Sequence, residues 1–373
     1  MTPLSRVVLV LLIVTIISMA TLFLLKLTRH YRERKAAFRN AVYISTLGEI
    51  VSRSMEPSSD IDGWADDPAF HDTLIDFFTL VAGEEQRILI ELADRLHMID
   101  RFHADLTNSR RISTRLRAVA ALAVIASPKS RPHLVAALRD PSPEVRIEAA
   151  AGLSIIKHED DVEPVVVALE REERWVAERF ADALVRFGPS AVPTLSNYVL
   201  ISGPLLDPAP RHLSSVVRCL GQIGDQRAET ALLTALDGVD AQLRIRAAAA
   251  LGHPWGDRVL NALLGKIADP DWRVRAQVAS ALAHHNSPAS IPYLAEALTD
   301  PAWWVRQNAA ATLATIDGGL EALFDALNYT DRFAGDAARA QLMARGARDG
   351  DEPDLAARFG LLYENFGQSD EAG

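Results

Sequence analysis

A short phrase, Val-Arg-x-x-Ala-Ala-x-x-Leu, recurs along this chain at a nearly constant interval. Its clearest copies begin at Val145, Leu243, Val274 and Val305, and the last three of them start 31 residues apart. A fixed period of this size is typical of a solenoid, in which each repeat is one supersecondary unit that buries its apolar face against its neighbours. The period therefore constrains the fold more tightly than the composition does.

Alignment on the first residue of the phrase gives eight units along the chain. These first positions are Leu116, Val145, Val176, His212, Leu243, Val274, Val305 and Ala334. The successive spacings are 29, 31, 36, 31, 31, 31 and 29 residues. The unit that starts at His212 departs from the phrase, although Val216, Val217 and Leu220 keep its later apolar positions.

Each unit is predicted to contain two helices. The first helix is expected to open at an Asp-Pro pair, as at 140–141, 269–270 and 300–301, because Asp is a good N-cap and Pro fits the first helical position. Apolar residues at the first, fifth, sixth and ninth positions of the phrase form one helical stripe. A short turn and a second helix follow, as in 291–298.

The extended phrase Asp-Pro-x-x-x-Val-Arg-x-x-Ala-Ala-x-x-Leu resembles the HEAT-repeat family, specifically the short HEAT-like repeats of the phycobilisome-lyase type. The resemblance covers about residues 110–342. It implies an all-α fold, a right-handed α-solenoid of about eight HEAT-like helix pairs. It also implies that the Asp and Arg of the phrase form a structural ladder between stacked repeats. The ladder residues would be Asp140, Arg146, Arg244, Asp269, Arg275, Asp300 and Arg306.

The N-terminal residues 7–25 form an uninterrupted uncharged run. At about 1.5 Å per residue this run spans roughly 28 Å, which predicts one retained transmembrane helix rather than a cleaved signal peptide. Arg6 is the one charged side chain before it, whereas a basic flank follows it, formed by Lys26, Arg29, Arg32, Arg34, Lys35 and Arg39. The positive-inside rule then predicts a single-pass protein whose solenoid faces the cytoplasm, in a bacterial inner membrane.

These observations divide the chain into five predicted segments. They are a transmembrane anchor at 1–27, a juxtamembrane basic stalk and linker at 28–67, an N-terminal helical cap at 68–109, the solenoid at 110–345, and a linker, short amphipathic helix and tail at 346–373. Residues 1–39 hold seven basic residues and one acidic residue, which leaves 32 basic and 48 acidic residues for the remainder. An acidic remainder disfavours nucleic-acid binding, which needs a basic face.

The sequence offers no convincing catalytic, cofactor or metal site. It contains no Walker motif and no HExxH motif. Deoxyhypusine hydroxylase, an enzyme built on HEAT-like repeats, binds iron through four His-Glu dipeptides, and here only His158-Glu159 matches. The single cysteine, Cys219, occupies a core position of its repeat, where an inert buried thiol is expected. The protein is therefore predicted not to be an enzyme and to bind no cofactor.

Two surfaces are candidate binding sites for a partner protein. Second helices line the concave face of HEAT solenoids, and alignment gives two rows of positions that either face a partner or belong to the core. One row is Val135, Val166, Ser196, Leu233, Leu264 and Ala295, and the other is Ala136, Val167, Asn197, Thr234, Gly265 and Glu296. The second candidate is a set of tryptophans in the first turn of first helices, which either bind a partner or pack against the preceding turn. This set is Trp175, Trp272, Trp303 and Trp304.

The sequence thus predicts a membrane-anchored HEAT-repeat scaffold that holds a partner protein, itself membrane-associated, at the cytoplasmic surface. The binding mechanism would be shape and contact, with local concentration raised by confinement. No small-molecule substrate is evident. The alternative is an accessory or lyase-type enzyme built on HEAT-like repeats. Nucleic-acid binding is a third possibility, disfavoured by charge.

Overall fold

The computed structural model of the protein describes residues 37–52, 59–204, 211–253 and 255–346, together with Met19 and Lys26. Over these residues the chain forms α-helices and short 3-10 helices and no β-strand, which confirms the all-α prediction. The chain divides into two compact units, and the boundary falls between Ile156 and Lys157.

The first unit contains seven described helices. They are α1 (37–52), α2 (Pro68–Leu80), α3 (Glu84–Arg95), α4 (Met98–Asn108), α5 (Ile112–Ile125), α6 (Arg131–Ala137) and α7 (Pro143–Ile156). A 3-10 helix at Ser59–Trp64 precedes α2. Tyr43 of α1 lies against the rings of Trp64 and Phe70, with centroids 4.8 and 5.3 Å away, so α1 packs onto this unit.

The second unit contains twelve described helices, which alternate between first and second helices of successive repeats. They are α8 (Val162–Leu169), α9 (Arg174–Phe187), α10 (Val192–Ile201), α11 (Leu213–Ile223), α12 (Glu229–Leu236), α13 (Ala241–Ala250), α14 (Asp257–Gly265), α15 (Trp272–His285), α16 (Ile291–Ala297), α17 (Trp303–Leu313), α18 (Gly319–Ala326) and α19 (Arg332–Gly346).

Five first helices, α5, α7, α9, α11 and α15, are followed by a residue with positive φ, whereas α13 and α17 end at residues with negative φ. Ala126, Lys157, Gly188, Gly224 and Asn286 all have φ between 43 and 67°. A left-handed residue after the last helical turn reverses the chain and lets the second helix fold back. The periodic turn chemistry therefore produces the antiparallel helix pair of each repeat.

Small residues bring the first helices of neighbouring repeats close together. Within the first unit α5 packs on α7, and within the second unit α9, α11, α13, α15 and α17 stack in that order. A Cβ atom added at Gly152 would lie 2.6 Å from the Cβ of Ala123. Large side chains at this seam would hold the helices apart, so the Ala-rich centre of the phrase sets the spacing of the stack.

The Arg and Asp of the phrase form buried ion pairs between consecutive repeats. The guanidinium of Arg244 donates to Asp269 at 2.8 Å from both Nε and Nη2, and Arg275 donates to Asp300 at 2.6 and 2.9 Å. Asp269 and Asp300 also accept the backbone N–H two residues further on, at 2.9 and 2.8 Å. Each aspartate thus fixes its own turn and the preceding repeat at once.

The first unit shows that the sequence register was off by two residues there. Arg115 is the arginine that pairs with Asp140, at 2.8 and 3.0 Å, and it lies 31 residues before Arg146. The phrase therefore begins at Thr114 and not at Leu116, because the first copy has lost the apolar residue that marks its start. The strict 31-residue period was the signal that identifies Arg115.

The Asp-Pro pairs do not open the first helices, contrary to prediction. Helix α15 begins at Trp272, where Asp271 is the N-cap and accepts from the N–H of Arg273, and α17 begins at Trp303. Asp269-Pro270 and Asp300-Pro301 form the turn just before each helix. The carboxylates of Asp269 and Asp300 accept hydrogen bonds from the turn and from the ladder arginine, and they do not cap the helix.

The predicted membrane location is corrected by this structure. The proposed anchor at residues 7–25 lies almost wholly outside the described residues, as does most of the basic flank. Among the residues that the structure does describe, none belongs to a helix of sufficient length and apolarity to cross a bilayer. Arg39, expected beside lipid headgroups, instead donates to Asp67 at 2.7 Å. The amphipathic helix predicted near residues 354–366 also lies outside the described part.

Candidate functional site

The two rows of second-helix positions differ in exposure. In the first row Val166 and Leu264 are buried, and Val135 and Leu233 are half-buried. In the second row four of the five side chains are exposed, as is Gly265, and Thr234 is half-buried. The exposed side chains are Ala136, Val167, Asn197 and Glu296. The first row therefore contributes to helix packing, whereas the second row faces solvent and is available to a partner.

A groove between α8 and α10 brings three predicted residues together. Val166, Val167 and Asn197 line a cavity of about 540 Å³. Its other lining residues are Glu163, Glu170, Pro193, Thr194, Tyr198, Ile201 and Ser202. The cavity falls in the range of about 300–1,000 Å³ that is usual for ligand sites. None of the other nine positions of the two rows lines it, including Val135, Leu233, Leu264 and Glu296.

The groove combines exposed apolar side chains with negative charge. Val167 and Ile201 are exposed apolar side chains, and Glu163 and Glu170 supply two carboxylates with no basic residue among the lining groups. Burial, followed by the charge of Glu170, raises the pKa of the Tyr198 phenol to about 12. A hydrogen bond between the phenol and the Glu170 carboxylate contributes to this shift, so the two side chains are paired within the groove.

The four tryptophans are all exposed, with between 42 and 57% of each residue accessible to solvent. The rings of Trp303 and Trp304 meet edge to face, with centroids 4.6 Å apart. The guanidinium of Arg306 lies 5.1 Å from the ring centroid of Phe333, so this last ladder arginine contacts an aromatic ring. Trp175 lies on α9, three repeats before Trp272 on α15, whereas Trp303 and Trp304 lie on α17 in the repeat after Trp272.

A second cavity, which the sequence patterns did not predict, lies among the first helices α9, α11 and α13. Its volume is about 410 Å³. Its lining residues are Arg174, Ala177, Glu178, Arg211, His212, Ser214, Ser215, Arg218, Asp240, Gln242 and Arg246. The signal that could have found it is the loss of the ladder arginine in two successive repeats, where Ala177 and Leu213 stand in its place.

The remaining reactive side chains show no catalytic arrangement in the described part of the chain. Cys219 is fully buried, its Sγ lies 3.4 Å from the carbonyl oxygen of Ala181, and burial raises the pKa of the thiol to about 12. The Nε2 atom of His285 lies 2.9 Å from the carbonyl oxygen of Leu251. No group of three or more metal-ligating side chains occurs among the described residues.

The helix pairs, the ladder and the periodic turns define a class, the α-helical repeat proteins. Family comparison makes this class specific: residues 99–185 and 257–344 match HEAT repeats, and residues 214–238 match the PBS lyase HEAT-like repeat. The chain therefore carries HEAT repeats on both sides of the unit that starts at His212, and the lyase-type match covers most of that unit itself.

Several solved structures are similar to this chain. Human deoxyhypusine hydroxylase is 18% identical, with 74% of this chain and 98% of that chain covered and a TM-score of 0.30. The complex of CpcE and CpcF of phycocyanin lyase from Nostoc is 19% identical, with 66 and 94% covered and a TM-score of 0.31. YibA of Escherichia coli is 15% identical, with 70 and 98% covered and a TM-score of 0.39. Comparison with curated proteins finds no match.

The prediction that the protein is not an enzyme is contradicted by the family comparison. Residues 214–238 match the PBS lyase HEAT-like repeat, a repeat named after a group of enzymes. The prediction rested on the motifs that the sequence lacks. Catalytic groups are recognised by their geometry and not by their sequence position, so the absence of short motifs had little power to exclude an enzyme.

Proposed function

We propose that this HEAT-repeat protein binds a segment of a partner protein in the groove between α8 and α10 and acts on or with that partner as a lyase-type or accessory subunit. The observation that carries the binding proposal is the groove itself. Three residues predicted from the repeat phase, Val166, Val167 and Asn197, converge on one cavity of about 540 Å³.

The chemistry of the groove selects the kind of segment that fits it. Exposed Val167 and Ile201 favour an apolar side chain, because burying apolar surface contributes about 25 cal/mol per Å². Glu163 and Glu170 favour a neighbouring Lys or Arg on the partner. The occupant is therefore a peptide segment, helical or extended, that presents one apolar and one basic side chain on the same side.

The lyase-type part of the proposal is supported by the family match over residues 214–238. A repeat protein of this class has a long surface on which a partner can lie while its modified residue is handled elsewhere on the same surface. Binding and chemistry would then be separate properties of one protein, and each needs its own test.

Site-specific photo-crosslinking tests the groove. A photoreactive amino acid at Thr194, which lines the cavity, is expected to crosslink one partner in cells, whereas the same group at Val239 is not. The captured protein is then purified for binding measurements. Val167→Arg is expected to weaken its binding by about tenfold or more, because a charge replaces an apolar contact.

Val239→Arg is the matched control. Val239 is exposed to a similar extent, 48% against 42% for Val167, and it does not line the groove. It should leave the affinity unchanged. Equal affinity of both variants for the purified partner would refute the groove as the binding site.

A separate measurement tests the lyase-type role. The partner is incubated with the native protein, and its mass and absorbance spectrum are followed. A group added to or removed from the partner by the native protein, and not by Val167→Arg, supports a lyase-type activity. Tight binding with no change in the partner's mass would leave the accessory role and exclude the catalytic one on that partner.

A further inference from the structure

The ladder of ion pairs is interrupted in the middle of the second unit. At the phase of Arg244 and Arg275, the two preceding repeats carry Ala177 on α9 and Leu213 on α11. Elsewhere the guanidinium fills the space beside the turn and bonds to the carbonyl oxygens five and six residues before it, as Arg244 does to Val239 and Gly238. Where the arginine is missing, a cavity of about 410 Å³ opens, and Ala177 lines it.

Four arginines that lie outside the ladder phase surround this cavity. Arg174 comes from the start of α9, Arg211 from just before α11, Arg218 from α11 and Arg246 from α13. The three following repeats have small residues where α11 has Arg218, namely Ala249, Ser280 and Ala311, and the preceding repeat has Asp182. The cavity has thus lost its ladder arginines and gained four others around its rim.

Most of these positive charges are unpaired. Among the described residues Arg174, Arg211 and Arg246 make no ion pair, whereas Arg218 donates to Glu178 at 2.8 Å. Glu178 and Asp240 are the two carboxylates that line the cavity, so four guanidinium groups face two carboxylates. The lining therefore carries a surplus of positive charge, although the chain outside residues 1–39 is acidic overall.

Neutral donors complete the lining. Ser214 and Ser215 line the cavity from the first turn of α11, are half-buried, and their hydroxyl groups donate to no described residue. His212 is buried, and its Nε2 atom lies 3.0 Å from the carbonyl oxygen of Glu172, which fixes the start of α11. The cavity thus offers guanidinium and hydroxyl donors in excess of the acceptors that it contains.

We propose that this cavity is a binding site for a small molecule that carries a phosphate or diphosphate group. Guanidinium groups bind phosphate oxygens through paired N–H donors, and they retain their charge at every physiological pH. A surplus of about two positive charges matches the charge of a phosphate monoester near neutral pH.

The cavity also has room for the rest of such a molecule. A smaller cavity of about 140 Å³ lies along α11 and α13 and shares Arg218 and Arg246 with the cavity of 410 Å³. Gly221, Ala249 and Ala250 line it, so small side chains leave space there, and Gln222 and His253 add polar groups. The organic portion of the ligand could lie in this smaller cavity while its phosphate contacts the arginines.

The geometry favours a small ligand over a nucleic acid. The arginines are grouped around one cavity of ligand size, whereas duplex binding requires phosphate contacts along an extended basic face. The remaining surface of the chain is acidic on average and would repel a long polyanion.

Calorimetric titration of the full chain with pyrophosphate, inorganic phosphate and chloride at fixed low ionic strength tests the proposal. Pyrophosphate is expected to bind most tightly, and chloride is expected not to bind. Arg246→Gln should weaken pyrophosphate binding by about tenfold, because one charged hydrogen-bond donor is lost. Glu178→Gln should strengthen it severalfold, because it frees Arg218 from its carboxylate.

Arg179→Gln is the matched control, since Arg179 is an exposed, unpaired arginine of α9 that does not line the cavity. It removes the same charge and should leave the affinity within about twofold. Thermal unfolding without ligand checks that each variant is folded; all three positions lie at the surface of their helices, so the melting temperatures should agree.

Three results would overturn the proposal. One is no binding of pyrophosphate to the folded native chain. Another is an equal loss of affinity in Arg246→Gln and Arg179→Gln, which would indicate attraction by overall charge alone. The third is tighter binding of succinate or of a short DNA duplex than of pyrophosphate, which would assign the arginines to a carboxylate ligand or to nucleic acid.

Discussion

Arg244 and Asp269 join two consecutive repeats through a pair of hydrogen bonds that are both 2.8 Å long. Their side chains are only 11 and 3% exposed, so the pair is shielded from water. The same arginine donates to the carbonyl oxygens of Gly238 and Val239, and the same aspartate accepts from the N–H of Asp271. One ion pair therefore fixes two turns and the contact between their repeats.

The first prediction concerns this pair. Arg244→Ala leaves the Asp269 carboxylate buried without its partner and should lower the free energy of unfolding by about 3 kcal/mol. Arg246→Ala, two residues further along α13 and exposed, should change it by less than about 0.5 kcal/mol. Denaturant unfolding of both variants measures the difference. Similar decreases in the free energy of unfolding would show that the buried pair stabilises the fold no more than an exposed arginine does.

The second prediction concerns the close approach of α5 and α7. Gly152→Ala introduces a methyl group 2.6 Å from the Cβ of Ala123 and should destabilise the protein by about 1–3 kcal/mol despite the better helix propensity of alanine. Gly48→Ala, in α1 with no atom within 4 Å of the added Cβ, should be neutral or stabilising. Thermal melts report both changes. A stable Gly152→Ala protein would show that the two helices can move apart at little cost.

The third prediction concerns Cys219. Burial raises the pKa of its thiol to about 12, so the native protein should not react with a thiol reagent at pH 8, whereas the unfolded chain should react fully. Because the folded pKa lies above the unfolded value, the thiol favours the folded state at neutral pH. That contribution is lost as the pH rises from about 9 towards 12. Rapid labelling of the native protein would contradict this assignment.

The fourth prediction concerns acid stability. The Arg273 guanidinium, together with the Arg273 backbone N–H, lowers the pKa of Asp271 to about 2 despite the opposing effect of burial. A lowered folded pKa stabilises the protein above the unfolded value, and that stability disappears as the pH falls from about 4 to 2. Asp271→Asn should therefore lose less stability than the native protein over this interval. Identical losses in urea titrations at pH 4 and pH 2 would contradict the prediction.

The repeat phrase predicted most of the helices because its physical causes are local. Apolar spacing, small residues at the seam and turn formers all lie within one repeat, so the sequence could indicate the 14-residue α15 and its partner α16. It failed at the first repeat, where Thr114 occupies the position of the usual valine and only the period could have indicated Arg115. It also assigned Asp269 to a helix end, because capping is the commoner role of a local aspartate.

The candidate sites were less accessible to sequence reasoning. The groove residues Val167 and Asn197 were predicted from phase alone, but their convergence with Glu163 and Glu170 depends on how α8 and α10 pack. The arginine-lined cavity was missed because it arises where other residues replace the ladder arginine of the repeat. Ala177 looks ordinary in an Ala-rich helix, and its significance emerges only beside the arginines that surround it.

The gap in the ladder also affects how the protein unfolds. Buried ion pairs connect α13 to the turn before α15, and α15 to the turn before α17. In the described structure α9 and α11 share only the more exposed Arg218–Glu178 pair, and no ion pair joins α11 to α13. Cooperativity in repeat proteins depends on the coupling between neighbouring repeats. The amide hydrogens of α9, α11 and α13 should therefore exchange more independently of one another than those of α13, α15 and α17. An oxyanion held by arginines of all three helices would supply the missing coupling, and the molecule that binds there would also decide whether the repeats open singly or together.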